Sequence, residues 1–81
     1  MKTIVFTPRA LKEFDALPEA ARRAVDDGLN RYAINGYGDV KRLKGIAGFR
    51  LRIGEYRVIF DEDGATVLTF SVGRRQTSTY R

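Results

Sequence analysis

The sequence predicts an α+β fold in the order β-α-α-β-β-β, with an N-terminal strand and a helical hairpin packed on one face of a mainly antiparallel four-stranded sheet. Three observations lead there. Apolar residues recur at three- and four-residue spacing between Pro8 and Tyr32. From Phe49 onward the period drops to two. The chain has 81 residues, room for a single core that helices and strands must share, so residues 1–81 read as one domain.

Thr3-Ile4-Val5-Phe6 reads as a short strand. Thr7-Pro8 then opens a helix, with threonine as N-cap and proline at the first helical position, where its missing N–H costs nothing. Ala10, Leu11, Phe14 and Leu17 form one apolar stripe, and Pro18 separates it from the next helix. That helix carries Ala21, Val25, Gly28, Leu29 and Tyr32 and closes at Asn35-Gly36. Gly28 inside a helix costs about 1 kcal/mol against alanine, which points to a close helix crossing.

Residues 36–48 read as loop and hold the basic run Lys41-Arg42-Leu43-Lys44. Phe49-Leu51-Ile53 then alternates with Arg50 and Arg52, and Gly54-Glu55 suits a two-residue hairpin turn with glycine first. Tyr56, Val58 and Phe60 alternate with Arg57 and Ile59, and a turn at Asp61-Glu62-Asp63-Gly64 leads to a last strand over 65–72. In that strand Leu68, Phe70 and Val72 are expected to face the core, opposite Val67, Thr69 and Ser71.

Charge is unevenly spread. Residues 41–81 hold nine bases against four acids and account for the whole net charge of +5, whereas residues 1–40 are balanced. Seven of those nine bases are arginine, whose planar fork suits phosphate and carboxylate. An anionic partner for the second half of the chain follows as the first hypothesis. The chain has no cysteine and no histidine, which excludes thiol nucleophiles and the usual zinc ligands, so no metal and no cofactor is expected. No stretch approaches a membrane span and the N-terminus lacks the apolar core of a signal peptide, so a cytoplasmic protein without membrane contact is expected.

The hairpin turn fixes which side chains meet. With Gly54-Glu55 at the turn, Arg52 faces Arg57, and like charges opposed on a sheet destabilise it by some tenths of a kcal/mol. Arginines on an open sheet face also keep it soluble, but opposing two of them gains the fold nothing. Arg75 has the parity to join them, and Tyr80 is available from the tail. Forked donors beside an aromatic ring make a receptor for a phosphodiester and its base.

At this point the chain resembles the RelE/ParE superfamily of toxins from type II toxin–antitoxin modules. The likeness rests on Thr7-Pro8-Arg9-Ala10-Leu11-Lys12, on Lys41-Arg42-Leu43-Lys44-Gly45, on Phe49 through Phe60, and on Ser71-Val72-Gly73-Arg74-Arg75 with a tyrosine soon after. What the resemblance implies is a RelE-like, ribosome-associated endoribonuclease that cuts mRNA and blocks translation, neutralised by a cognate antitoxin. The ParE-like alternative is a non-catalytic inhibitor of DNA gyrase. The resemblance implies catalytic positions at Arg52, Arg57, Arg75 and Tyr80, with RNA-binding positions at Lys41, Arg42, Lys44, Arg50 and Arg74. Arg57 and Arg75 would stabilise charge on the phosphoryl oxygens, and Tyr80 would stack or handle a proton. Arg52 stands where such toxins often carry lysine; a guanidinium keeps its proton, so its part would be electrostatic.

Overall fold

Thr7 and Pro8 start the first helix as their chemistry requires. Thr7 has extended backbone, its hydroxyl accepts the Ala10 N–H at 3.1 Å, and proline takes the first helical position. The computed structural model describes residues 1–74 as β1 (Thr3–Phe6), α1 (Pro8–Asp15), α2 (Glu19–Asn35), β2 (Asp39–Arg42), β3 (Phe49–Ile53), β4 (Tyr56–Glu62) and β5 (Thr66–Arg74). Gly36 ends α2 in the left-handed conformation at φ 76°, where its N–H reaches the Tyr32 carbonyl.

The α+β class and the helical hairpin stand as expected, but the sheet has five strands in the order β1-β5-β4-β3-β2. The additional strand, Asp39-Val40-Lys41-Arg42, lies where a loop was expected. Only Val40 is apolar there, so the segment shows no period of its own. Its conformation comes from pairing antiparallel with β3, Asp39 against Arg52 through Arg42 against Phe49. At the other edge β1 runs parallel to β5, Thr3 against Thr66 through Phe6 against Thr69, so the sheet is mixed.

Ala10, Val25 and Leu29 from the helices meet Leu51, Val58, Phe60, Val67 and Val72 from one sheet face, and all are buried. The rings of Tyr32 and Phe49 lie 5.3 and 5.4 Å from that of Phe60. Gly28 permits a close approach of α2 to β3, since a Cβ there would fall 2.6 Å from Ile53 Cδ1. The glycine therefore serves a helix-on-strand contact, not a crossing of the two helices.

β5 departs from simple alternation. Val67, Thr69 and Val72 are buried while Phe70 is 37% exposed. The β4–β5 register shifts here, with Ile59 opposite Ser71 but Phe60 opposite Thr69, so Phe70 is the extra residue of a bulge. The expected core set of Leu68, Phe70 and Val72 thus holds only at Val72. β4 pairs with residues 67–69 and with residues 71–74 on either side of Phe70, while β1 pairs only with residues 66–69, so the inserted residue shifts the β4 register beyond the stretch that β1 holds.

The bulge also leaves the Thr69 hydroxyl fully buried with no partner among the described residues. A buried unpaired polar group costs free energy that an isosteric methyl does not. Thr69→Val is expected to raise stability by about 1 kcal/mol. A urea midpoint that moves up at constant slope would bear this out; one that falls would show the hydroxyl to be bonded.

Candidate nucleic-acid interface

The sheet face turned away from the helices is built by alternation alone. Leu51, Val58 and Val72 point into the core, so their neighbours Arg50, Arg52, Arg57 and Gly73 point out. The register places Arg52 directly opposite Arg57, as the turn chemistry required, and Gly54 supplies the turn at φ 58°. Beyond Arg57 stands Gly73, so β5 places no side chain at that end of the row.

β2 widens the face. Lys41 pairs with Arg50, and Asp39 pairs with Arg52. Four cations and the Asp39 carboxylate therefore gather at this end of the face, and alternation along β4 places Asp61 farther along it. The Asp39 carboxylate lies 3.8 Å from the Arg52 guanidinium, too far for a good hydrogen bond, and both side chains are partly exposed. Arg57 and Lys41 take no ion-pair partner among the described residues. The Arg50 Nε–H is shielded from solvent with no partner among the described residues, a donor left unbonded on the cationic face.

Other sequence-predicted positions fall elsewhere. Arg42 pairs with Phe49 on the core side of the sheet, its guanidinium 5.5 Å from the centre of the Phe49 ring. Arg74 stands opposite Tyr56 on that same side and bonds Glu55 at 2.6 Å, so it does not join the Arg52–Arg57 row. Lys44 is exposed in the link between β2 and β3. Arg75 and Tyr80 lie outside the described residues. Asp39 is the residue that sequence reading missed on this face. An isolated carboxylate in an apparent loop carried no signal until its register with Arg52 was fixed.

α1 secures the strand that borders this face. β1 stops at Phe6, and beyond it the open edge of β5 is met by Glu13, whose Oε1 accepts the Val72 N–H at 2.8 Å and the Ser71 hydroxyl at 2.9 Å. The Val72 amide holds the Glu13 carboxyl below the usual carboxylate range, aided by Arg9 and Ser71 and opposed by partial burial. The carboxylate does for one edge donor what a strand would do.

A depressed folded-state pKa means the contribution is complete at neutral pH. It begins to fade below the ordinary carboxylate value and is gone once pH falls through the lowered one. Glu13→Ala is expected to cost about 1 kcal/mol at pH 7, from a donor left without its partner, and progressively less in acid. Denaturation curves at neutral and acid pH check this. An equal loss at both would remove the carboxylate from the explanation.

On the opposite rim Glu62 of β4 ties α2 to the residue just before β1. It accepts from Lys2 Nζ and from the Tyr32 hydroxyl, each at 2.8 Å. Partial burial and the adjacent carboxylate push the Tyr32 hydroxyl up to about 12. This cluster is remote from the arginine row in the strand register and serves the fold.

Against solved structures, the chain aligns with a chain of the RelBE2 toxin–antitoxin complex from Mycobacterium tuberculosis at 28% identity and TM-score 0.79, covering 91% of this chain and 98% of that one. The isolated RelE toxin of E. coli matches at 22% identity and TM-score 0.80, over 96% of this chain and 88% of the other. The YoeB dimer of Staphylococcus aureus matches at 20% identity and TM-score 0.75, over 93% and 98%. The latter two similarities concern the fold. No family profile matches the sequence, and no curated protein matches it.

Proposed function

We infer that this chain, which has the RelE-like toxin fold, acts as the toxin of a toxin–antitoxin pair and cleaves mRNA at the ribosome. The observation that carries the reading is the pair Arg52–Arg57, opposed across β3 and β4 on the outward face, with Gly73 next to Arg57 on β5. Such a pair is unfavourable for folding and suited to a phosphodiester. The fold shared with RelE and with a chain of the RelBE2 complex supports the same reading.

The chemistry is transfer of the phosphoryl group to the adjacent 2′-oxygen. A bond forms between O2′ and phosphorus as the bond to O5′ breaks, leaving a cyclic phosphate and a 5′-hydroxyl. The proton of the 2′-hydroxyl is lost and the departing O5′ gains one. Arg57 would place its fork on the non-bridging oxygens, where charge accumulates. Arg52, tethered loosely by Asp39, would orient the backbone and add positive potential. With guanidinium groups holding their protons, the proton acceptor comes from RNA or ribosomal groups, while Arg75 and Tyr80 take the roles that the resemblance implies. The partner is a cognate antitoxin whose acidic or apolar segment folds on binding.

Mapping the 5′ ends of transcripts after brief induction tests the reading. New ends within translated messages, absent when ribosomes are kept off them, are the expected result. Arrest with intact messages and broken DNA would replace it with gyrase inhibition.

A further inference from the structure

β2 is the last strand on its side of the sheet, and its ladder with β3 shows which of its backbone groups are spent. The Leu43 N–H reaches the Gly48 carbonyl at 3.0 Å, so these two residues form a hydrogen-bonded pair one step beyond the ladder. Such pairs alternate along antiparallel strands, which makes Lys41–Arg50 and Asp39–Arg52 hydrogen-bonded pairs too. The N–H and C=O groups of Val40 and Arg42 therefore point away from β3. No backbone partner meets them among the described residues.

An open strand edge is a template for another strand, and proteins often blunt it with lysine or by keeping it short. β2 is short and carries a lysine, yet its charges are complementary to a copy of itself. Asp39 and Lys41 flank Val40 symmetrically. A second β2 running antiparallel, with Val40 opposite the partner's Val40, sets each Asp39 against the partner's Lys41. The two valines then exchange both backbone bonds across the two-fold axis, since theirs are the groups that point outward. Asp39 and the partner's Lys41 form the closer type of pair, with Cα atoms about 4.5 Å apart.

Charge also selects this register. The smallest slip that keeps the two sheet faces matched is two residues. One such slip opposes Lys41 to the partner's Lys41, and the other opposes Asp39 to the partner's Asp39. Both charges are available within the subunit. The Asp39 carboxylate is 57% exposed with its nearest cation, Arg52, at 3.8 Å, and Lys41 has no ion-pair partner among the described residues.

We propose that the β2 edge is a self-association surface, where a second copy of this chain adds its own β2 and the two sheets become one. The two-fold axis stands perpendicular to the sheet, so both arginine rows lie on the same face. Each copy uses the same edge, and the contact closes at two subunits. A four-residue edge buries well under the roughly 1,200 Å² of a stable interface, so the association is weak, in about the 10 μM to 1 mM range. This inference goes beyond the RNA reading and does not depend on it.

Sedimentation equilibrium at fixed salt, over about 10 μM to 1 mM protein, tests it. A reversible monomer–dimer equilibrium is expected. Lys41→Asp opposes carboxylates on both sides of the axis and weakens the dimer about tenfold or more. It also lowers the net positive charge, which would strengthen an unspecific association instead. Adding Asp39→Lys to it restores opposed charges and most of the affinity. Amide exchange at Val40 and Arg42 slows as concentration rises, while that at Lys41, already bonded to β3, does not change. A monomer at every concentration, assembly beyond two subunits, a dimer indifferent to Lys41→Asp, or one that the exchanged pair fails to restore overturns the edge contact and leaves the RNA reading standing.

Discussion

Arg57→Ala is expected to abolish growth arrest while leaving the protein as stable as before, or slightly more so. The residue faces Arg52 across the hairpin and has no ion-pair partner among the described residues. Removing it relieves a like-charge contact, a gain of some tenths of a kcal/mol. In the reaction the same removal deletes a preorganised donor from the developing phosphoryl charge, a loss of about 10²–10³ in rate. Cleavage of messages after induction and thermal melting of the purified variant measure the two effects separately. Arg57→Lys keeps the charge but loses the fork, and should fall between the two. A fully toxic Arg57→Ala protein would sink the assignment; a toxic-dead variant that also melts early would make Arg57 a structural residue.

The largest loss of stability is expected at Phe60→Ala. Phe60 is fully buried, with the rings of Tyr32 and Phe49 at 5.3 and 5.4 Å, and it sits at the register shift between β4 and β5. Truncating a buried phenylalanine costs about 3–5 kcal/mol through lost transfer energy and the cavity left behind. At about 0.05–0.15 kcal/mol per residue the whole domain holds only some 4–12 kcal/mol. The variant therefore stands near the unfolding threshold. Urea denaturation beside Val5→Ala, at a 42% exposed position, gives the comparison. Losses of similar size at both positions would mean that the aromatic cluster is not where the core's stability resides.

Legibility followed the range of the interactions involved. The N-cap at Thr7, the left-handed stop at Gly36 and the turn at Gly54 depend on residues within four positions, and all three were readable. The hairpin carried its own register because a two-residue turn fixes every pair behind it, so the facing of Arg52 and Arg57 followed from sequence. β2 was not readable, since four residues with one apolar side chain have no period, and β3 gives them their conformation. Asp39 was lost with it. The switch of parity in β5 was hidden for a related reason. A bulge changes which side chains face the core without changing the composition of the strand, and it is defined by pairing with β4 on either side of Phe70.

The two helices, the arginine-bearing hairpin and the cationic balance of the second half of the chain follow from residue order alone. Local torsional preference and periodic burial suffice for these. Long-range pairing is what brings Lys41 and Asp39 to the arginine face, holds Arg42 and Arg74 off it, and sets Glu13 against the open edge of β5. Those placements depend on pairing between segments far apart in the chain, where strand register and edge capping are settled by partners that no local pattern names.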